Sequence, residues 1–152
     1  MIVERTSEVN LAAHDMVVWD VTDRMNPELV GYLAPTMKAA YEMEPGKHAI
    51  LLQLALTNNM MTVDAEADKT YFTKIGTNSF YTALFFPIKV GDKNDITRNN
   101  VSVASDHLVA WGKNRGRIEN SLQSRIDKGR RKMESMSEED KRLRNMVAED
   151  GR

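Results

Sequence analysis

Eight cationic side chains fall within twenty residues: Lys113, Arg115, Arg117, Arg125, Lys128, Arg130, Arg131 and Lys132, against Glu119 and Asp127. Guanidinium and ammonium groups at that density suit the neutralisation of phosphates, because each contact with a nucleic-acid backbone releases condensed counterions. Arg125, Lys128, Arg131 and Lys132 recur at spacings of three and four, which gathers them on one face of a helix. A twenty-residue helix is about 30 Å long, enough to follow several phosphates. On this reading all eight cations bind nucleic acid, and the partner is DNA or RNA. The competing reading is a helix that is simply solvated, or one docked on the chain's own acidic body.

The same stretch carries a narrow apolar stripe. Ile118, Leu122, Ile126 and Met133 are spaced by four, four and seven, with Gly129 in the intermediate position. Such a stripe can pack on a second copy or on another protein, with the flanking charges selecting the partner. This is the alternative function: an assembly, inhibitor or adaptor module acting through the same helix. Gly129 weakens that helix by about 1 kcal/mol relative to Ala.

Other constellations are weaker. Tyr71-Phe72, Phe80-Tyr81 and Phe85-Phe86 have the chemistry of a base-stacking platform, but neighbours on a strand point to opposite faces, so one member of each pair belongs in the core. His14-Asp15 and Asp106-His107 place imidazole beside carboxylate in sequence, which does not bring them face to face. Asp20 and Asp23 have the spacing of a cation-binding pair and equally that of turn formers. No metal site, cofactor or catalytic residue is assigned. The glycines at 76 and 112–116 match no phosphate-loop pattern, and enzymatic activity is unsupported.

These groups must be positioned by the elements around them. Met16 to Val21 is β-branched and aromatic and reads as a strand. Asn26-Pro27-Glu28 has the residues of a helix start, and Leu29, Val30, Leu33 and Met37 then fall on one helical face, with a kink at Pro35 and an end near Met43. His48 to Leu56 reads as a strand buried on both faces, closed by Thr57-Asn58-Asn59, with a short strand over Met60 to Val63. The runs Thr70–Ile75 and Phe80–Phe86 form a hairpin around Gly76 to Ser79, and Pro87 marks an edge. A helix follows within Val101 to Trp111. Ser137 opens a terminal helix by capping, with Leu143, Met146 and Val147 as its apolar face.

The whole is 152 residues, 41% hydrophobic and 28% charged, which predicts a folded domain. The net charge of -1 conceals -5 over 1–112, +6 over 113–132 and -2 over 133–152. Cysteine is absent, which excludes disulfides, thiolate metal sites and cysteine nucleophiles. The ten methionines suit irregular core gaps. No apolar run approaches the ~20 residues of a membrane span, and the first residues lack a leader pattern, so a soluble cytoplasmic protein is expected. The Asn- and Met-rich text is reminiscent of small phage or viral accessory proteins, in texture and without a motif. The reading is therefore an α+β domain over 1–112 with a mostly antiparallel sheet and one or two packed helices, followed by a charged helical extension over 113–152.

Overall fold

The computed structural model describes residues 1–5, 16–34, 37–54, 57–77, 83–89, 116 and 119–151. The first strands are β1 (Ile2–Arg5), β2 (Met16–Asp20), β3 (Glu28–Leu33) and β4 (Lys38–Ala40). A long pair follows, β5 (Gly46–Leu54) and β6 (Thr57–Ala65), then β7 (Phe72–Thr77) and β8 (Ala83–Pro87). The C-terminal part holds helices α1 (Leu122–Glu134) and α2 (Glu138–Leu143), the two-residue strand β9 (Asn145–Met146) and a 3-10 turn at Ala148–Asp150. One sheet has the order β4-β1-β7-β8, the other β3-β2-β5-β6-β9. All pairings are antiparallel except β1 with β7 and β6 with β9. This is the expected α+β arrangement, with two sheets in place of one.

The sheets face each other across the main core. Met16, Val18, Ile50, Leu52, Met61 and Val63 from the second sheet meet Val3, Ile75, Ala83 and Phe85 from the first. The opposite face of the second sheet presents Val17, Trp19, Leu51 and Met60, and α1 covers it with Leu122 and Ile126. The second sheet is thus buried on both sides. That is why β2 and β5 read as continuous apolar runs rather than alternating ones. Ile126 is 0% exposed, and burying such a side chain contributes about 1.5–3 kcal/mol.

Gly129 has a reason to be glycine. A Cβ there would lie 2.7 Å from Met60 Sδ and 3.1 Å from Leu51 Cδ1, so the bare backbone lets α1 approach the sheet closely.

Three expected elements differ. The helix predicted over 26–43 is instead β3 and β4. Its start signal is used elsewhere: Asn26 Nδ2 donates to Asp23 Oδ2 at 2.8 Å, and Asp23 Oδ1 accepts from Met25 N at 2.8 Å, closing a turn before β3. Val30 and Tyr32 then bury on opposite faces of a strand paired with β2, and a register shift at Val18/Trp19 accommodates the bend. Tertiary pairing overrides the local helical signal there. Secondly, Thr57-Asn58-Asn59 does not close a strand but opens the nine-residue β6. Thirdly, Met146 is buried in β9, not on a helix, while Leu143 stays 65% exposed at the end of α2.

The hairpin is present with its strands at 72–77 and 83–87, the first ending two and the second starting three residues later than read, and β8 ends at Pro87 as an edge. Tyr71 is fully buried, Phe85 is in the core, and Phe86 is 45% exposed. The helix expected within 101–111, Phe80 and Tyr81 lie outside the described residues.

Replacing Gly129 by Val tests the close approach. Overpacking of this kind costs about 1–3 kcal/mol, so urea unfolding should show that loss. A gain in stability would mean that α1 is not pressed on the sheet.

Candidate functional site

The basic helix is docked on the chain's own body, and its cations divide into two sets. One set faces inward. Ser121 precedes α1 without capping it; its hydroxyl accepts instead from Arg125 Nε at 3.0 Å and from Gln53 Nε2 at 3.4 Å. Gln53 Oε1 in turn accepts from Trp19 Nε1 at 3.0 Å. This relay, buried at its Trp19–Gln53 end, fixes the register of the helix on the sheet and explains the one polar residue in the apolar run 49–54. Arg125 Nη1 also donates to Asn58 Oδ1 at 3.0 Å. On the other flank Arg130 Nη2 donates to Val21 O at 2.7 Å, and Arg24 pairs with Asp127 at 2.5 Å.

The second set faces outward. Lys128 and Arg131 are exposed, and among the described residues neither side chain makes an ion pair or a hydrogen bond. Lys132 Nζ reaches around the edge of β6 to Asn59 Oδ1 at 3.0 Å. Arg144, from the turn between α2 and β9, reaches the same oxygen at 3.1 Å. Asn59 is 1% exposed, and its Nδ2 donates to Ala83 O, so its oxygen is turned toward the cations. Desolvation lowers the Lys132 pKa from its ordinary value, and Arg144 lowers it further. Burial lowers Arg144 as well, with Asp140 opposing that shift. Arg125 is lowered by burial alone. Among the described residues no carboxylate pairs with Lys128, Arg130, Arg131, Lys132 or Arg144. Their hydrogen-bond partners, where they have them, are neutral oxygens.

Sequence reasoning placed eight cations at the site. Lys113, Arg115 and Arg117 lie outside the described residues, as does Ile118. Arg125 and Arg130 hold the helix in place, while Lys128, Arg131 and Lys132 line the accessible face. Arg144 was missed. It sits twelve residues beyond the cluster, in a stretch of net negative charge, and only the return of β9 to β6 brings it beside Lys132. The apolar stripe is engaged internally: Leu122 and Ile126 are buried against Val17, Trp19, Leu51 and Met60, with Met133 packed at the margin. It meets the chain's own sheet.

Acidic groups collect elsewhere. A cavity of about 450 Å³ is lined by Asp20, Asp23, Glu28, Tyr41, Glu44 and His48, among others. His48 Nδ1 lies 2.6 Å from Asp20 Oδ2 and Nε2 lies 2.7 Å from Glu44 O. Tyr41 OH donates to Glu28 Oε2 at 2.7 Å. Burial raises the Tyr41 pKa well above its ordinary 10, helped by the Glu28 hydrogen bond and the Asp20 charge. Asp20 and Asp23 act as turn formers, each accepting a backbone amide two residues on; the Asn26 hydrogen bond is the largest cause of the lowered Asp23 pKa. Among the described residues no three His, Asp or Glu side chains are placed to hold a metal ion. His14, Asp15 and His107 lie outside them.

No family model, curated protein or solved structure matches this chain.

Two titrations check these environments. Lys132 has a folded pKa below 10.5, so the unfolded chain binds more protons as pH approaches that value and stability rises. The stability of the native chain minus that of Lys132→Gln, from urea unfolding, should therefore increase from neutral pH toward 10.5. A flat difference would mean that Lys132 is neither desolvated nor repelled by Arg144. Near-ultraviolet titration of the native chain should show a tyrosine that resists ionisation, and Tyr41→Phe should remove that contribution. Because the folded state holds that proton longer, stability contributed by Tyr41 falls as pH climbs past 10.

Proposed function

We propose that this chain is a non-enzymatic binding protein that takes a nucleic-acid backbone on the exposed face of α1 and the adjoining turn. Lys128, Arg131, Lys132 and Arg144 supply the charge. The observation that carries the reading is the absence, among the described residues, of any carboxylate paired with these four. Surface cations in a protein of nearly balanced charge ordinarily find acids nearby. Here Asp20, Glu28 and Glu44 are gathered around the separate cavity with Tyr41 and His48. Arg125 and Arg130 contribute by holding the helix rigidly enough to present the others. No helix among the described residues is long and apolar enough to cross a membrane, and a nucleic-acid partner fits a cytoplasmic setting.

Fluorescence anisotropy with a labelled single-stranded RNA and a labelled DNA duplex tests this. Four neutralised phosphates give a log–log salt slope of about -3.6 on duplex and about -2.8 on a single strand. Between 50 and 200 mM salt the duplex affinity should then fall roughly a hundredfold. The double substitution Lys128→Glu and Arg131→Glu should weaken binding more than about tenfold, since two attractive contacts become repulsive. Its thermal unfolding should match the native chain. Absence of salt-dependent binding to either probe would reject the reading.

A further inference from the structure

Within the basic face one locus is built differently from the rest. Lys128 and Arg131 extend separately from a helix surface, whereas Lys132 and Arg144 come from different elements and end on one atom. Their nitrogens lie 3.0 and 3.1 Å from Asn59 Oδ1. Two cations at that separation repel, and burial costs each some of its hydration. Both pay this in return for hydrogen bonds to a neutral amide oxygen alone. Asp140 is the acid whose charge acts on Arg144, but its Oδ2 accepts from Ser137 Oγ and it forms no ion pair with Arg144. Asn59 cannot relieve the repulsion, because it carries no charge and its own amide nitrogen is held by Ala83 O. A single anion at this point would compensate both cations at once.

We infer that the Lys132–Arg144–Asn59 locus is a seat for a phosphate monoester, and, resting on the nucleic-acid reading above, that its source is the phosphorylated end of a strand. Convergence is the argument for an end rather than an internal phosphate. Cations that track a backbone are spread along it, one to a phosphate. Here two meet on one point. A phosphate monoester carries about -1.5 to -2 charge at pH 7, and three strong acceptor oxygens, whereas an internal diester carries one charge. The guanidinium of Arg144 offers a planar fork and the Lys132 ammonium a compact charge beside it, a pairing suited to one tetrahedral dianion.

The test compares three probes on the full chain at constant salt: a short single strand with a phosphate at its 5′ or 3′ end, the same strand with hydroxyl ends, and inorganic phosphate alone. One of the phosphorylated strands should bind about tenfold more tightly than the hydroxyl-ended strand. Lys132→Gln and Arg144→Gln should each abolish that advantage, so that the phosphorylated and hydroxyl-ended strands bind alike, and Arg144→Lys should retain part of it. Millimolar inorganic phosphate should raise the unfolding temperature of the native chain and not that of either Gln variant. Equal binding of phosphorylated and hydroxyl-ended strands, with no protection by inorganic phosphate, overturns the seat and leaves the nucleic-acid reading intact. An advantage that survives in both Gln variants also overturns it, since the phosphate then sits elsewhere. Protection by inorganic phosphate that is lost in both variants, without binding of any strand, upholds the seat and rejects the nucleic-acid reading.

Discussion

The docking of α1 on the outer face of the five-stranded sheet is the contact on which the rest depends. Leu122 and Ile126 seal Trp19, Leu51 and Met60 from water, and Gly129 allows the approach. Without this cover, a sheet already buried on its inner side would expose a second apolar face, an arrangement that invites association. The helix therefore completes the fold as well as carrying charge. Its polar anchors reinforce the register: the Trp19–Gln53–Ser121–Arg125 relay on one flank, Arg130 with Val21 O and Arg24 with Asp127 on the other. Each buried polar atom in that relay has a partner, which is what makes polar groups tolerable at such an interface.

Docking also decides which charges remain available. A helix of evenly distributed cations becomes two-sided once one face is seated. Arg125 and Arg130 turn into struts, and Lys128 and Arg131 face solvent. Arg125 donates to the Ser121 hydroxyl and the Asn58 amide oxygen, and Arg130 donates from Nη2 to Val21 O while its buried Nε has no partner. The C-terminal return through α2 and β9 then adds Arg144 to the same face. Lys89 and Lys69 secure this return, with Lys89 pairing Asp150 at 2.8 Å and Lys69 donating to Ala148 O at 3.0 Å. The same return also brings Glu138, Glu139 and Asp140 of the first turn of α2, and the Asp140 charge acts on Arg144.

Much of this was legible in the residues. The α+β class, the antiparallel majority, β2, the doubly buried β5 and the β7–β8 hairpin follow from apolar run length, β-branching and turn residues, all of which act over a few neighbours. The capped start of α2 at Ser137, whose Oγ accepts from Asp140 N at 3.1 Å, is local in the same sense. The expectation over 26–43 went the other way because Asn26 and Pro27 are ambiguous: the residues that open a helix also close a turn. What settles them is β2, whose edge needs a partner. Gly31 belongs to the same resolution, since a Cβ there would lie 2.5 Å from Ala39 Cβ.

Charge density, the apolar stripe and the absence of cysteine chemistry were determined by the sequence by itself, because each is a property of residue types at short spacing. Which cations face outward, that the stripe meets the chain's own sheet, and that Arg144 joins Lys132 at Asn59 were decided only by the tertiary structure. Asn59 and Arg144 are separated by 85 residues. No pattern of neighbours encodes such a meeting. It arises because β6 extends past the end of β9 and leaves an edge at which a side chain of α1 and one from the turn after α2 come together.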